Sequence, residues 1–172
     1  NNGNNQDAIA TDMGGVKPLV QLLEANSSTP EVQAYAAFAL MEISRSNPTN
    51  QMLILEHGGV DQLAALMRRS PNVEVKAEVA GTLWALSETP EIKVAIAKAD
   101  TMQPLVNLLG DGHVRARDHA ASALSCLAQN NERNQIEITQ MLIELLSTGQ
   151  QEGQERAVKA LWALVHENPD AH

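Results

Sequence analysis

A unit of about 40 residues recurs four times along this chain, and that periodicity constrains the fold more than any other feature of the sequence. One landmark is a leucine late in the longer apolar segment of each unit: Leu40, Leu83, Leu124 and Leu161, spaced by 43, 41 and 37 residues. A second is a leucine early in the shorter segment: Leu19, Leu63, Leu105 and Leu142, spaced by 44, 42 and 37 residues. Two separate landmarks would not stay in phase by chance, so we predict a stack of related units.

Each unit is predicted to be built from helices. In the most complete unit, His57 to Ser87, apolar residues recur at helical spacing on both sides of the interruption Ser70-Pro71-Asn72. The longer helices carry a continuous apolar stripe at steps of three and four residues. Its members are Val32, Ala36, Leu40 and Ile43; Val75, Val79, Leu83 and Leu86; and Ala116, Ala120, Leu124 and Leu127. Hydrophobic residues make up 44% of the sequence and aromatic residues only 2%, which suits close packing of helices. We therefore predict an all-α fold.

A short helix opens each unit and ends at a joint before the second helix. The joint is Gly14-Gly15 in the first unit, Gly58-Gly59 in the second and Asp100-Thr101 in the third. The fourth unit lacks such a joint and is five residues shorter than the second over the same segment. We therefore predict that its first helix is shortened or joined directly to the second, so that stacking differs there. Residues 1–6, NNGNNQ, are polar without periodicity and are expected to be frayed or to form a turn.

Charge and cysteine content narrow the classes of partner and compartment. The formal net charge of −9 argues against general affinity for nucleic acid or anionic lipid, which are attracted by a positive field. The single cysteine, Cys126, makes no disulfide framework, so we expect a reducing compartment, the cytoplasm or also the nucleus. For Cys126 itself a buried small hydrophobe is favoured over a reactive thiol. No apolar run is long enough for direct membrane insertion, and no signal peptide is visible.

Three motifs recur in phase: Gly-Gly-Val after the short first helix, PLVQLL or PLVNLL in the second helix, and AAFALMEIS, AGTLWALS, AASALSCLA or AVKALWALV in the third. Together they resemble armadillo repeats, and they are more similar to the catenin-type and plant- or fungus-type consensus than to importin-α. The resemblance implies a right-handed α-solenoid of about four repeats with three helices each. It also implies a domain at 4–166, with repeats 4–46, 47–88, 89–129 and 130–166. The flanks 1–3 and 167–172 are expected to continue into a longer protein.

In the armadillo family the third helices line a concave groove that binds an extended peptide or a helix of a partner protein. Importin-α carries a tryptophan and an asparagine four residues later on each third helix. The tryptophan positions hold Phe38, Gly81, Ser122 and Lys159, and the asparagine positions hold Glu42, Ala85, Cys126 and Ala163. Both ladders are therefore absent, which disfavours a nuclear-import adaptor. A basic groove like that of β-catenin is disfavoured as well.

Aligning the third helices gives the candidate groove residues. They are Tyr35, Phe38 and Glu42; Glu78, Gly81 and Ala85; His119, Ser122 and Cys126; and Arg156, Lys159 and Ala163. From the first unit to the fourth, these side chains change from aromatic and acidic to small and then to basic. Such a gradient would orient a partner of complementary charge. The alternative is that the charged members are solvated surface. Trp84 and Trp162 hold equivalent positions in their units. Each either packs between neighbouring units or contacts a partner protein, and packing between units is the favoured interpretation.

Enzyme motifs are not found. His113 and His119 are six residues apart, as are His166 and His172, whereas the helical zinc-protease motif requires a spacing of four. Gly110-Asp111-Gly112 lacks the strand and lysine of a phosphate-binding loop. We therefore predict a protein–protein interaction scaffold that is not an enzyme, has no cofactor and binds no metal. Two alternatives stay open: a structural spacer without a ligand of its own, and a domain of an enzyme whose catalysis lies elsewhere. Self-association through uncapped ends is also predicted.

Overall fold

The computed structural model describes residues 2–24, 28–111 and 113–166, with only the backbone for Asn2 and Asp12. Throughout these residues the regular secondary structure is helical, which confirms the predicted all-α class. The predicted flank at 167–172 lies outside the described residues. The helices are α1 (Asn2–Asp7), continued by a π-helical turn (Ala8–Asp12), α2 (Val16–Gln21), α3 (Pro30–Ser44), α4 (Pro48–Glu56), α5 (Gly59–Arg69), α6 (Val73–Leu86), α7 (Pro90–Lys98), α8 (Met102–Leu109), α9 (Val114–Ala128), α10 (Glu132–Thr148) and α11 (Gln151–His166).

The helices form a stack in which α6 packs along α3 on one side and along α9 on the other. One continuous core runs through the stack instead of closing around a centre. The stripes predicted for α6 and α9 are buried in it, and Val75, Val79, Leu83 and Leu86 are each fully inaccessible. Val32, placed on the stripe of α3, is 39% exposed instead. It lies in the first turn of α3.

Local signals start the longer helices. The Thr29 hydroxyl accepts a hydrogen bond from the Val32 amide at 3.4 Å. The Asn72 side chain accepts two at the start of α6, from the amides of Glu74 at 2.9 Å and Val75 at 3.3 Å. These caps satisfy amides that have no partner within the helix. Proline fits the first turn of α3, α4 and α7 for the same reason, since it has no amide hydrogen there to leave unpaired.

At the joints between first and second helices of the first three units, one residue has a left-handed backbone conformation. Gly14 and Gly58 have φ values of 62° and 74°, which glycine adopts without a Cβ clash. In the third unit Asp100 takes the same conformation with φ 55°, which Asp tolerates better than most residues. The fourth unit has only the uninterrupted helix α10 in this place. Of the two predicted outcomes, a shortened first helix or one joined directly to the second, the structure has the joined helix.

The N-terminal segment differs from its prediction. Residues 2–7 form the helix α1 instead of a frayed end or a turn. Tertiary contacts explain this, because Gln6 Nε2 donates to the carbonyl oxygens of Glu42 at 2.7 Å and Arg45 at 3.3 Å. Asn47 Nδ2 also donates to Asp7 Oδ1 at 2.8 Å. The end of α3 thus fixes a segment whose own sequence has weak helix propensity.

The fourth unit stacks differently from the others, as its shortened sequence predicts. Helix α11 packs mainly against α10 and meets α9 over a shorter stretch. At its N-terminal end it comes close to the turn before α9, where a Cβ added to Gly153 would lie 3.6 Å from Cα of Gly110. Arg156 Nη1 donates to the carbonyl oxygen of Leu109 at 3.0 Å. Beyond this hydrogen-bonded N-terminal end of α11, an open cleft separates α9 from α11.

Candidate binding groove

The twelve predicted groove residues lie on α3, α6, α9 and α11, but they are not equally accessible. Nine are at least partly exposed, and among them Tyr35 is 75% and Phe38 43% exposed. These nine are Tyr35, Phe38, Glu42, His119, Ser122, Cys126, Arg156, Lys159 and Ala163. The three on α6 are buried: Glu78, Gly81 and Ala85. Helix α6 is covered on both sides by other third helices, so its ridge is the floor of the surface.

His119 covers the middle of this surface. Its Nδ1 lies 2.8 Å from the carbonyl oxygen of Ala77. A carbonyl only accepts, so Nδ1 carries the proton in this bond. The imidazole also lies over Gly81, where an added Cβ would be 2.7 Å from Nδ1. Its ring centroid is 6.2 Å from that of Trp84, which is half-buried. Trp84 therefore fills a seam between α6 and α9.

Trp162 behaves differently from Trp84 although the two positions are equivalent in the repeat. It is 63% exposed, and its ring stacks on His166 with centroids 4.0 Å apart. Within the described residues no following third helix packs on this face of α11.

Cys126 is half-buried rather than a core residue, and its thiol donates to the carbonyl oxygen of Ser87 at 3.3 Å.

A charged cluster adjoins the predicted residues at the start of α6 and α9. Arg115 Nη1 donates to Glu78 Oε1 at 2.7 Å, and Arg115 Nη2 lies 3.4 Å from Glu74 Oε2. His113 Nε2 lies 2.8 Å from Glu74 Oε1. Because His113 Nδ1 accepts the Ala116 amide at 3.2 Å, Nε2 is the nitrogen that carries the proton in the neutral ring.

Glu74, Arg115 and His113 adjoin the candidate groove residues but were not among those predicted from the sequence. The signal was present, since Glu74 and Arg115 each lie four residues before a predicted member, Glu78 and His119. Continuing the ridge by one helical turn toward the N-terminus would have included both. His113 has no such signal, because it is the capping residue before α9.

The aromatic and acidic residues together form a pocket of about 470 Å³, here called the acidic pocket. Its walls include Glu31, Tyr35, Phe38, Glu74, Glu78 and Arg115. Glu78 is only 6% exposed, and among the described residues its Oε2 has no hydrogen-bond partner. An ionised oxygen buried without a donor is costly, so it provides a strong acceptor for a group that enters the pocket. Three carboxylates face one guanidinium, which leaves the pocket with excess negative charge.

Glu31, at the rim of the acidic pocket, stays ionised at lower pH than an ordinary glutamate. Its own backbone amide and then the Thr29 hydroxyl stabilise the carboxylate and hold the pKa of Glu31 below its usual value. Both groups lie at the N-terminal end of α3, where negative charge is also favoured by the helix dipole.

The other end of the groove has opposite charge. The cleft between α9 and α11 has a volume of about 370 Å³. Arg117, Arg156 and Lys159 line it together with one carboxylate, Asp118. The structure therefore brings Tyr35, Phe38 and Glu78 together at one pocket and Arg156, Lys159 and Ala163 together at another. Glu42 lies outside both and pairs with Arg45 at 2.9 Å.

Neither a metal site nor a membrane-spanning helix is present among the described residues. Within them, no group of three or more His, Cys, Asp or Glu side chains is placed to hold a metal ion. The helices in this part of the chain are all too short or too polar to cross a membrane.

Known proteins resemble this chain both in sequence and in fold. The family model for the armadillo/beta-catenin-like repeat matches residues 47–88. The crystal structure of an engineered protein superposes with a TM-score of 0.77 at 30% identity, covering 96% of this chain and 68% of that one. A designed armadillo repeat protein in complex with peptide (KR)4 has a TM-score of 0.77 at 24% identity, covering 95% and 70%. The chain belongs to the armadillo-repeat family.

Natural relatives of this armadillo-repeat chain include catenin-type proteins and a vacuolar protein. The juxtamembrane domain-associated catenin of Caenorhabditis elegans is 33% identical over 92 residues, 52% of this chain and 7% of that protein. Vacuolar protein 8 of Schizosaccharomyces pombe is 33% identical over 124 residues, 69% of this chain and 21% of that protein. The chain thus spans about a fifth or less of the length of these relatives. The predicted resemblance to catenin-type repeats is confirmed.

Proposed function

We propose that this chain is a protein-interaction module that binds an extended segment of a partner protein along the groove formed by α3, α6, α9 and α11. In this proposal it acts by binding and not by catalysis, and it needs neither cofactor nor metal. The armadillo-repeat fold, typical of interaction scaffolds, supports the general class. The acidic pocket supports the groove as the place of binding.

The observation that carries the proposal is the unpartnered Oε2 of Glu78 beside two exposed aromatic rings. Tyr35 and Phe38 are two of only four aromatic side chains in the whole sequence, so their meeting at one pocket is not a result of general abundance. A basic side chain from a partner would donate to Glu78 and lie against the rings. Charge-assisted hydrogen bonds and cation–π contacts both favour that arrangement.

Arg115 limits what the pocket accepts. It already neutralises one oxygen of Glu78 and contacts Glu74. A second cation must therefore use the remaining oxygen of Glu78 and the charge of Glu31 and Glu74. An anionic ligand would have to displace Arg115 and overcome repulsion from three carboxylates, so we expect an acidic segment to be rejected at this pocket.

The test is binding of a labelled peptide of four Arg-Ser repeats, measured by fluorescence anisotropy beside a peptide of four Glu-Ser repeats. Glu78→Gln keeps the shape of the side chain and removes its charge, so we expect about tenfold weaker binding of the basic peptide. Tyr35→Ala removes one ring and should weaken binding about two- to fivefold. Circular dichroism establishes that each variant is equally helical.

Glu56→Gln is the matched control, since Glu56 is exposed on α4 and does not line the acidic pocket. The proposal fails if Glu56→Gln weakens binding as much as Glu78→Gln, or if the acidic peptide displaces the labelled basic peptide as well as the unlabelled basic peptide does. If the folded chain binds neither peptide, the spacer interpretation is favoured instead. Cytoplasmic location remains a prediction, to be checked by imaging a tagged chain in cells.

Self-association also remains a prediction for this armadillo chain. Helix α11 presents Val158, Trp162 and Val165, which are 55%, 63% and 58% exposed. Exposed apolar side chains grouped on one helix favour contact with a second copy. Sedimentation velocity over a range of concentrations measures this directly, and a monomer at every concentration would contradict it.

A further inference from the structure

The cleft between α9 and α11 follows from the architecture of the fourth unit. Between the earlier units, side-chain hydrogen bonds tie neighbouring third helices together: the Thr82 hydroxyl donates to the carbonyl oxygen of Ala37, and His119 Nδ1 to that of Ala77, both at 2.8 Å. Helix α11 is instead attached to α10, which runs straight where the other units bend. The third helix of the last unit therefore stands away from α9 and leaves space between them.

The floor of this cleft is apolar. It is formed by Leu124 of α9 and by Ile138 and Leu142 of α10, which are 3%, 0% and 0% exposed. Small residues, Ala121 and Ala163 among them, form the walls, and they are the at least partly exposed apolar surface above this buried floor. A space of about 370 Å³ lies within the range of pockets that hold small organic groups, and it is large enough for one aromatic or branched side chain.

The rim of the cleft is basic. Arg117, Arg156 and Lys159 line it, against the one carboxylate of Asp118. Arg156 is held at the edge by the bonds from Nη1 to the carbonyl oxygens of Leu109 at 3.0 Å and Asp111 at 3.3 Å. Lys159 pairs with Glu155 at 2.7 Å, but both side chains are well exposed, so this pair is screened and easily exchanged.

We infer that this cleft binds one large apolar side chain of the partner segment, flanked in the partner by carboxylates. The apolar floor favours the hydrophobic side chain, and the basic rim favours acidic neighbours on either side of it. This inference rests on the proposed function, because the cleft opens onto the same groove. It also sets the direction of the partner, with its basic part at the acidic pocket and its acidic part at α11.

The test uses the pentapeptide Glu-Asp-Phe-Asp-Glu, labelled for fluorescence anisotropy, with the Phe→Ala version and Lys-Arg-Phe-Arg-Lys as comparison probes. Burial of the phenyl ring predicts roughly ten- to hundredfold tighter binding than the Ala version. The basic probe should bind at the cleft more weakly than the acidic one. Backbone amide shifts in NMR spectra should change at Ala121, Ser125 and Ala160 when the acidic probe binds.

Two substitutions address the two halves of the inference. Lys159→Glu reverses one rim charge at an exposed site and should weaken the acidic probe about tenfold at low salt. Ala121→Leu fills part of the cleft from the exposed wall of α9 and should weaken both Phe-containing probes. Lys98→Glu is the control for the charge change, since Lys98 is exposed on α7 and does not line the cleft.

The possible results separate this inference from the proposed function. Equal affinity for the Phe and Ala probes, or unchanged affinity in both cleft variants, would overturn the inference. If Glu78→Gln still weakens the basic Arg-Ser peptide in that case, the proposed function stands without the cleft. If the acidic probe behaves as expected but the Arg-Ser peptide does not bind, the cleft stands and the acidic pocket is wrong.

Discussion

Replacing Gly81 by alanine tests how closely α6 and α9 pack in the middle of the groove. A Cβ at this position would lie 2.7 Å from Nδ1 and 2.8 Å from Cε1 of His119, and 2.7 Å from Sδ of Met41. Alanine and the present geometry therefore cannot coexist. The Met41 side chain is flexible and can move, but the imidazole is held by its bond to the carbonyl oxygen of Ala77.

Opposing effects set the size of the change. Alanine in place of glycine within a helix stabilises by about 1 kcal/mol. Overpacking costs about 1–3 kcal/mol, and losing the hydrogen bond of His119 costs about 0.5–1.5 kcal/mol more. We therefore expect Gly81→Ala to lower the free energy of unfolding by about 0.5–3.5 kcal/mol, so steric conflict outweighs helix propensity.

A double-mutant cycle with His119→Ala gives the measurement. Urea unfolding is followed by far-UV circular dichroism for the whole stack and by Trp84 fluorescence for this seam, in a Trp162→Phe background. With the imidazole removed, Gly81→Ala should become neutral or stabilising by up to about 1 kcal/mol. Stabilisation by Gly81→Ala in the presence of His119, or the same effect in both backgrounds, would refute the reasoning.

Three further predictions concern single contacts of the stack. Thr82→Val keeps the shape of a fully buried side chain but removes its hydroxyl, which lies 2.8 Å from the carbonyl oxygens of both Ala37 and Glu78, so urea unfolding should show a loss of about 0.5–1.5 kcal/mol. Gly58→Ala forces a Cβ onto a residue with φ 74°, so thermal unfolding should show a loss of about 1–2 kcal/mol. The Lys159 ammonium, by hydrogen bond and charge, holds the pKa of Glu155 below its ordinary value; carboxyl NMR titration should show this pKa rising in Lys159→Gln.

Each of these has a control or a contradicting outcome. Thr82→Ser retains the hydroxyl and should lose less stability than Thr82→Val. Gly3→Ala, in the helix α1 with open space around the added Cβ, should be neutral or stabilising where Gly58→Ala is not. Because the lowered pKa of Glu155 favours its ionised form in the folded state, any stability it contributes is present above its unfolded pKa and is lost as pH falls through the folded value. If the pKa of Glu155 is unchanged in Lys159→Gln, Lys159 does not stabilise the ionised form of Glu155.

Much of the fold is readable from the sequence because helices and their faces are local properties. The stripe of α6 was predicted from spacing alone, and all four of its members are fully buried. The joint at Gly58 and its loss before α10 also follow from the sequence, since a left-handed backbone position needs glycine or a tolerant residue such as Asp100. In these cases the chain's own chemistry determines the outcome.

The accessibility of the groove residues was decided only by the tertiary structure. Tyr35 and Glu78 occupy the same position in successive repeats, yet the first is 75% exposed and the second 6%. Spacing along a helix shows which face a residue occupies, but not which helices cover that face. The helix α1, the bond between Arg115 and Glu78, and the cleft beside α11 likewise depend on segments about 40 residues away in the chain. In a stack of repeats, each surface is completed by the neighbouring unit, and so only the assembled stack determines which side chains remain available to a partner.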